Sequence, residues 1–308
     1  MKRDVYGITR RGFLLGGAAA LMWGGLVPVR GAETLLERAI PSSGERLPLV
    51  GLGTARSFDV GPSAEQRLAV AEVLRSFVAL GGRLVDTSPM YGRAEAVVGE
   101  LSRALGVGDR LFMATKVWTE GRDEGIAQME RSMDLLGTRP MDLMQIHNLL
   151  DWQTQLRTLR AWKEAGKIRY IGITHYVEPA FDDLAAVIRK EPLDFVQLPF
   201  SMGEPEAQDW LLDLCADRGC AVIVNRPFQR GALFRAVRGK ALPPRVRDWG
   251  IDTWGKFFLK FILGHPAVTC AIPATSKVKH VADNLGAAKG YLPNVGERAW
   301  MMDYLHSL

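Results

Sequence analysis

From residue 47 onward, short apolar runs alternate with longer stretches of helical period. Runs of strand length fall at 47–54, 83–87, 111–117, 141–147, 168–174, 195–200, 221–225 and 268–273. Spacing of apolar residues at i, i+3, i+4 predicts helices over 64–80, 94–105, 124–136, 152–165, 178–189, 205–218, 252–263 and 278–287. Gly81-Gly82, Gly106, Gly137, Gly166 and Gly219 sit just past helical runs, where a residue without Cβ ends a helix at least strain. Residues 34–46 read as a short hairpin ahead of the first barrel strand, and 300–308 as a final amphipathic helix. The Pro- and Arg-rich stretch 229–250 is the one long connection. It follows the seventh strand, which puts it on a ligand-binding rim.

Eight strand–helix units in unbroken series predict an α/β fold: a (β/α)8 TIM barrel with an N-terminal β-hairpin and a C-terminal helix. An open Rossmann-like sheet is the alternative, but no G-x-G-x-x-G follows the first strand. At 308 residues and 47% hydrophobic, the chain has material for one large core.

The net charge of +5 is unevenly spread. Residues 1–32 carry Lys2, Arg3, Arg10, Arg11 and Arg30 against Asp4 alone, a net of +4. The nearly neutral remainder gives no electrostatic case for nucleic-acid binding. The N-terminal segment reads as an address. Thr9-Arg10-Arg11-Gly12-Phe13-Leu14 precedes an apolar, Gly/Ala-rich run from Phe13 to Val27, and the order resembles a twin-arginine signal. The expected organisation is a signal segment over 1–32 and a single barrel domain over 33–308. The expected destination is the periplasm after passage through the twin-arginine translocase, with a membrane anchor if the segment is not cleaved. That route carries proteins already folded. Cys215, Cys220 and Cys270 form no framework or metal motif and read as small buried residues, and no metal is expected.

In a barrel the chemistry sits at the C-terminal ends of the strands. The second predicted strand closes on Asp86, with Tyr91 five residues on; the third closes on Lys116 and the fourth on His147. Neighbouring strands lie about 5 Å apart, so these groups converge. An ammonium beside a phenol stabilises the phenolate, so Lys116 is expected to lower the pKa of Tyr91. Asp86 holds Lys116 charged, His147 donates a hydrogen bond to a substrate carbonyl, and Tyr91 protonates its oxygen as hydride reaches the carbon. Phe58, Trp118 and Trp152 are candidate substrate-binding aromatics at the mouth.

Gly51-Leu52-Gly53-Thr54, Asp86-Thr87-Ser88-Pro89-Met90-Tyr91-Gly92, Thr115-Lys116, Gln145-Ile146-His147 and Ile272-Pro273-Ala274-Thr275-Ser276 together resemble the motifs of the aldo-keto reductase superfamily. The resemblance runs from about residue 39 to the end. It implies an NAD(P)H-dependent oxidoreductase with Asp86, Tyr91, Lys116 and His147 as catalytic tetrad, acting on a small carbonyl or alcohol. It implies that Gly53 and Thr54 lie beside the cofactor. It also implies that Thr174, His175 and Gln197 hold the nicotinamide carboxamide, although the family usually has Ser-Asn where this chain has Thr174-His175. On the seventh strand, Asn225, Arg226, Pro227 and Phe228 occupy the place of a common nicotinamide-stacking aromatic. Thr275, Ser276, Lys277, His280, Asp283 and Asn284 form the adenosine-phosphate segment, with His280 at the place of a common arginine. Ser276 and Lys277 at a helix N-terminus favour NADP(H), with NAD(H) left open. The altered positions and the exported address motivate an alternative, a nucleotide-binding sensor or partner subunit with little turnover. A monomer or weak homo-oligomer is expected.

Overall fold

The computed structural model describes residues 34–308. The paired arginines Arg10 and Arg11 and the apolar run after them lie outside the described residues. A two-stranded antiparallel hairpin, β1 (Glu37–Ala39) with β2 (Arg46–Pro48), comes first. Eight parallel strands follow: β3 (Leu52–Gly53), β4 (Leu84–Asp86), β5 (Phe112–Val117), β6 (Met141–His147), β7 (Ile168–Thr174), β8 (Phe195–Pro199), β9 (Ala221–Asn225) and β10 (Val268–Ala271). They pair strictly in chain order, and bridges Val50–Ala271 and Gly53–Ala274 join the two edges of the sheet. Gly53 is required there, because a Cβ on it would lie 2.7 Å from the Ile272 carbonyl oxygen.

The helices are α1 (Ala64–Ala79), α2 (Ala94–Leu105), α3 (Arg122–Leu136), α4 (Trp152–Glu164), α5 (Phe181–Lys190), α6 (Leu211–Asp217), α7 (Ala232–Ala236), α8 (Trp254–Leu263), α9 (Val278–Gly286) and α10 (Val295–His306). Their starts are chemically marked. Ser63 Oγ accepts from Gln66 N at α1, Thr253 Oγ1 from Lys256 N at α8, and Asn294 with Glu297 forms a reciprocal capping box at α10. Gly106 and Gly137 close α2 and α3 in the left-handed region, as the sequence pattern predicts.

Three expectations need correction. The run 47–54 is not one strand. It contains the end of the hairpin and the start of the barrel, with the chain turning at Leu49–Gly51. The predicted helix over 205–218 begins as a 3-10 turn at Glu206–Asp209 before α6. The stretch 229–250 is not a bare connection: it holds α7 and a 3-10 turn at Pro244–Trp249, and its Val246 and Trp249 are buried.

Strand side chains alternate between faces, so every second residue enters the lumen. Leu84, Phe112, Ala114, Leu143, Tyr170, Phe195, Ala221, Ile223, Cys270 and Ile272 make one apolar cluster there, stoppered by Ile40 and Leu47 of the hairpin. A larger cluster packs the helices onto the outside of the strands. The hairpin is tied on by polar contacts as well. Tyr170 Oη donates to Glu45 Oε2 at 2.9 Å and lies 2.7 Å from Ser43 Oγ, whose hydroxyl can donate back to it, and Arg83 pairs with Glu45 at 3.1 Å. Arg38 donates to the carbonyls of Leu263, His265 and Val268 at the turn between α8 and β10. The N-terminal end of the barrel is thereby closed, which leaves the C-terminal end for chemistry.

Candidate active site

Above the apolar lumen cluster the inward positions become polar. Along β5 the inward series reads Phe112, Ala114, Lys116, and along β6 it reads Leu143, Gln145, His147. Strand register sets Lys116 level with Gln145, His147 with Thr174, and Thr174 with Gln197. Asp86 ends β4 beside them. All of these side chains are buried.

Lys116 is fully buried, and an unpaired ammonium in that position carries a desolvation penalty of several kcal/mol. It is met by Asp86, whose two oxygens accept from Nζ at 2.8 and 2.7 Å, and by the Thr87 carbonyl at 2.7 Å. Burial pulls the ammonium's pKa down, but Asp86 and then Tyr91 pull it up further, and the balance lies above the ordinary lysine value. Lys116 is therefore charged at neutral pH. Its Nζ lies 5.2 Å from the centre of the half-buried Tyr91 ring.

Tyr91 departs from expectation. Lys116 does draw the phenol's pKa down, but burial pushes it up more and Asp86 adds to the rise, so the net direction is upward. In the described structure Tyr91 is thus protonated at neutral pH and placed to give a proton. Its ring stands perpendicular to that of His147, with centroids 6.1 Å apart. His147 is lowered to about 3 by burial, then by Lys116 and His175, so it is neutral. Its Nδ1 lies 3.1 Å from Ser88 Oγ, and that hydroxyl also accepts from Met90 N at 3.4 Å. In the tautomer where the Ser88 hydroxyl donates to Nδ1, the imidazole hydrogen sits on Nε2 and is free to donate.

Gln197 links this group to the next. Its Nε2 donates to Asp86 Oδ1 at 2.9 Å, and its Oε1 accepts from Thr174 Oγ1 at 3.2 Å and Asn225 Nδ2 at 3.4 Å. His175 stacks on Tyr176 at 5.5 Å, and its Nδ1 is buried without a partner, as is Asn225 Oδ1. Two orphaned polar atoms at the tops of β7 and β9 fit a ligand amide, because buried polar groups are normally paired. Arg226 donates to the Tyr176 carbonyl at 2.6 Å. Phe228 packs against Phe234 at 4.9 Å and Phe258 at 6.4 Å, so its ring belongs to an aromatic cluster beneath the rim, next to buried Pro227. Left-handed backbone at Asn148, Leu149 and Asp151 after β6, and at Arg226, Gln229 and Arg230 after β9, concentrates strain on this rim.

The α9 segment splits in two. Ser276, Lys277 and His280 are exposed at its start, and Thr275 Oγ1 accepts from Lys277 N at 3.1 Å, so the exposed group can meet a phosphate. Asp283 instead accepts from Thr253 Oγ1 at 2.8 Å and ties α9 to α8, while Asn284 is buried. Gly53 lines the β3–β10 seam, and Thr54 donates through Oγ1 to the Asp86 carbonyl at 2.9 Å.

The three mouth aromatics separate. Trp118 is 41% exposed, and its ring centre lies 6.3 Å from that of His147. Gln128 of α3 pins its backbone on both sides, with contacts of 2.5 and 3.2 Å. Phe58 is wrongly assigned to the mouth: it is 0% exposed, because the Thr54–Phe58 turn folds it back into the outer core. Trp152 is half-buried against the core, with its ring facing Lys190 Nζ at 5.8 Å on α5 rather than the tetrad. Two residues with no assigned role belong to the site, Ser88 and Gln145. The signal for Gln145 was a polar side chain at an inward position of an otherwise apolar strand.

Two clefts of about 620 and 390 Å³ lie at the opposite end of the barrel, around the hairpin turn and Asp194. They share no residue with the tetrad.

Comparison with known proteins agrees with the geometry. The model of the aldo/keto reductase family matches residues 49–294. Methylglyoxal reductase YeaE of Escherichia coli is 27% identical over 256 residues, covering 80% of this chain and 88% of that protein. An aldo-keto reductase from Klebsiella pneumoniae, solved in complex with NADPH, superposes with a TM-score of 0.74 at 23% identity, covering 89% of this chain and 95% of that one. The holo form of an aldo-keto reductase from Bacillus halodurans gives 0.71 at 19% identity, over 88% and 96%. The two structures establish the shared fold, and the match to 49–294 establishes the family. This chain belongs to the aldo/keto reductase family.

Proposed function

We propose that this protein reduces an aldehyde or ketone to an alcohol with NADP(H) as hydride source, and that it does so after export by the twin-arginine route. The observation that carries the first part is the buried Asp86–Lys116 pair beneath a protonated Tyr91, with neutral His147 at its side. When bound, the cofactor supplies a hydride equivalent to the carbonyl carbon. The protein's own residues supply the rest. Tyr91 Oη and His147 Nε2 both donate to the carbonyl oxygen, and the Tyr91 proton moves to it as negative charge develops. Lys116 stabilises the phenolate left behind, and Asp86 keeps Lys116 charged and in place.

Thr174, His175, Gln197 and Asn225 would hold the carboxamide, and Ser276, Lys277 and His280 a 2′-phosphate. The exposed cations at the start of α9, together with NADPH in the Klebsiella pneumoniae relative, favour NADP(H) over NAD(H). Trp118 would cover one side of the substrate. Methylglyoxal is a natural first substrate to try, since it names the Escherichia coli relative. No observation favours the reading as a sensor or partner subunit without turnover.

Single-turnover oxidation of bound NADPH by nitrobenzaldehyde tests the assignment. Tyr91→Phe is expected to slow hydride transfer by about three orders of magnitude while leaving NADPH binding intact. A full rate in that variant refutes the acid role. Export rests on Arg10, Arg11 and the apolar run after them. Replacing both arginines by lysine is expected to abolish it, and unchanged export sinks that part.

A further inference from the structure

We propose that Gln145 is a positioning residue for proton transfer: its side-chain amide holds Asp86 and so sets how much of the Lys116 charge reaches Tyr91. The proposal rests on the reductase reading for the importance of Tyr91, but not for the electrostatic link itself.

Gln145 is fully buried. Its Nε2 donates to Asp86 Oδ1 at 3.1 Å, and its Oε1 accepts from Gln197 Nε2 at 3.2 Å. Asp86 Oδ1 therefore receives Lys116, Gln145 and Gln197 together, whereas among the described residues Oδ2 receives Lys116. A carboxylate compensated only by Lys116 would oppose most of that ammonium's field. Two amide N–H dipoles on Asp86 take up part of its charge and leave more of the Lys116 field for the phenol. The backbone is shaped to admit the side chain. Gly172 faces Gln145 across β6–β7, and a Cβ there would lie 3.0 Å from Gln145 Cγ and 3.1 Å from the Phe195 carbonyl oxygen. Gln197 has other duties: it also serves Thr174 and Asn225 at the candidate cofactor end. Among the described residues, the Gln145 side chain bonds Asp86 and Gln197. It thus gives Asp86 Oδ1 a second amide hold beside that of Gln197.

The test is the ultraviolet titration of Tyr91, taken in each background as the difference between the protein and the same protein carrying Tyr91→Phe. No turnover is needed. Gln145→Met keeps the volume and removes the amide. It is expected to raise the Tyr91 midpoint by about half a pH unit and to lower kcat about tenfold, with NADPH affinity within about twofold. Gln145→Asn, whose amide stops one methylene short of Asp86, is expected to give the same shift and takes the place of Gln145→Met should that protein not fold. An unmoved midpoint overturns the proposal, even if kcat falls, because a merely structural defect slows turnover without retuning the phenol. If wild type turns over no carbonyl, the reductase reading fails and the titration still decides the role of Gln145.

Discussion

Replacing Asp86 by asparagine isolates the interaction on which the whole site depends. Lys116 has no exposed surface and loses a carboxylate that accepts from it at 2.7 and 2.8 Å. Leaving one partner of a buried ion pair uncompensated costs about 3–5 kcal/mol. In a domain of this size that lowers Tm by about 10 °C. The variant has one escape, which is for Lys116 to lose its proton. Burial is already the largest influence on that ammonium and acts downward. Without Asp86 the folded-state pKa should fall below the unfolded value near 10.4. The pH dependence of stability then changes sign. In wild type the pKa is raised by folding, so the contribution of Lys116 is complete below the unfolded pKa and is lost only as pH climbs through the folded one. In Asp86→Asn the unfolded chain binds the extra proton, and stability climbs with pH towards about 10. Urea unfolding of both proteins at a series of pH values, followed by tryptophan fluorescence, reads the two slopes directly. A loss under about 1 kcal/mol, or a variant whose stability does not rise with pH, refutes the reasoning.

Other consequences are simpler to measure. Folding lowers His147 to about 3 and His265 to about 4, so the unfolded chain gains protons first as pH falls below 6.5. Stability should be complete above about pH 6.5 and fall towards pH 4, by on the order of 3 kcal/mol for His147 and less for the more solvent-screened His265; His265→Asn should flatten the decline seen in acid urea titrations. Phe58→Ala should destabilise by about 3–5 kcal/mol through a cavity in the outer core, with the KM for the carbonyl unchanged, whereas a raised KM at unchanged stability would return Phe58 to the mouth. Trp118→Ala should do the opposite, raising KM for aromatic carbonyls about tenfold with little change in Tm, since the side chain is 41% exposed and its anchor is backbone.

The contrast between Phe58 and Gln145 marks how far a linear reading reaches. Periodicity located seven of the eight barrel strands and the run that contains the first, because a lumen packed every second residue leaves a pattern within each short run. The convergence of the candidate site residues was legible for the same reason. Asp86, Lys116 and His147 each end a run, and parallel order alone makes three consecutive strand ends neighbours. The run 47–54 misled because an apolar stretch carries no mark of the turn between hairpin and barrel. Phe58 misled because rim and core differ by the fold of a single turn, Thr54–Phe58, and local composition is blind to it. Gln145 was visible as an inward polar residue, but its meaning depends on Gln197, two strands away and 52 residues later. Nor does the sign of the Tyr91 shift follow from a neighbouring lysine. It comes from burial competing with Lys116 and Asp86. That competition bears on function: burial keeps the phenol protonated at neutral pH, while Lys116 offsets part of that rise and stabilises the phenolate left once the proton has gone. The packing around Tyr91, and not only the charge beneath it, thus sets the protonation state in which the phenol meets a substrate.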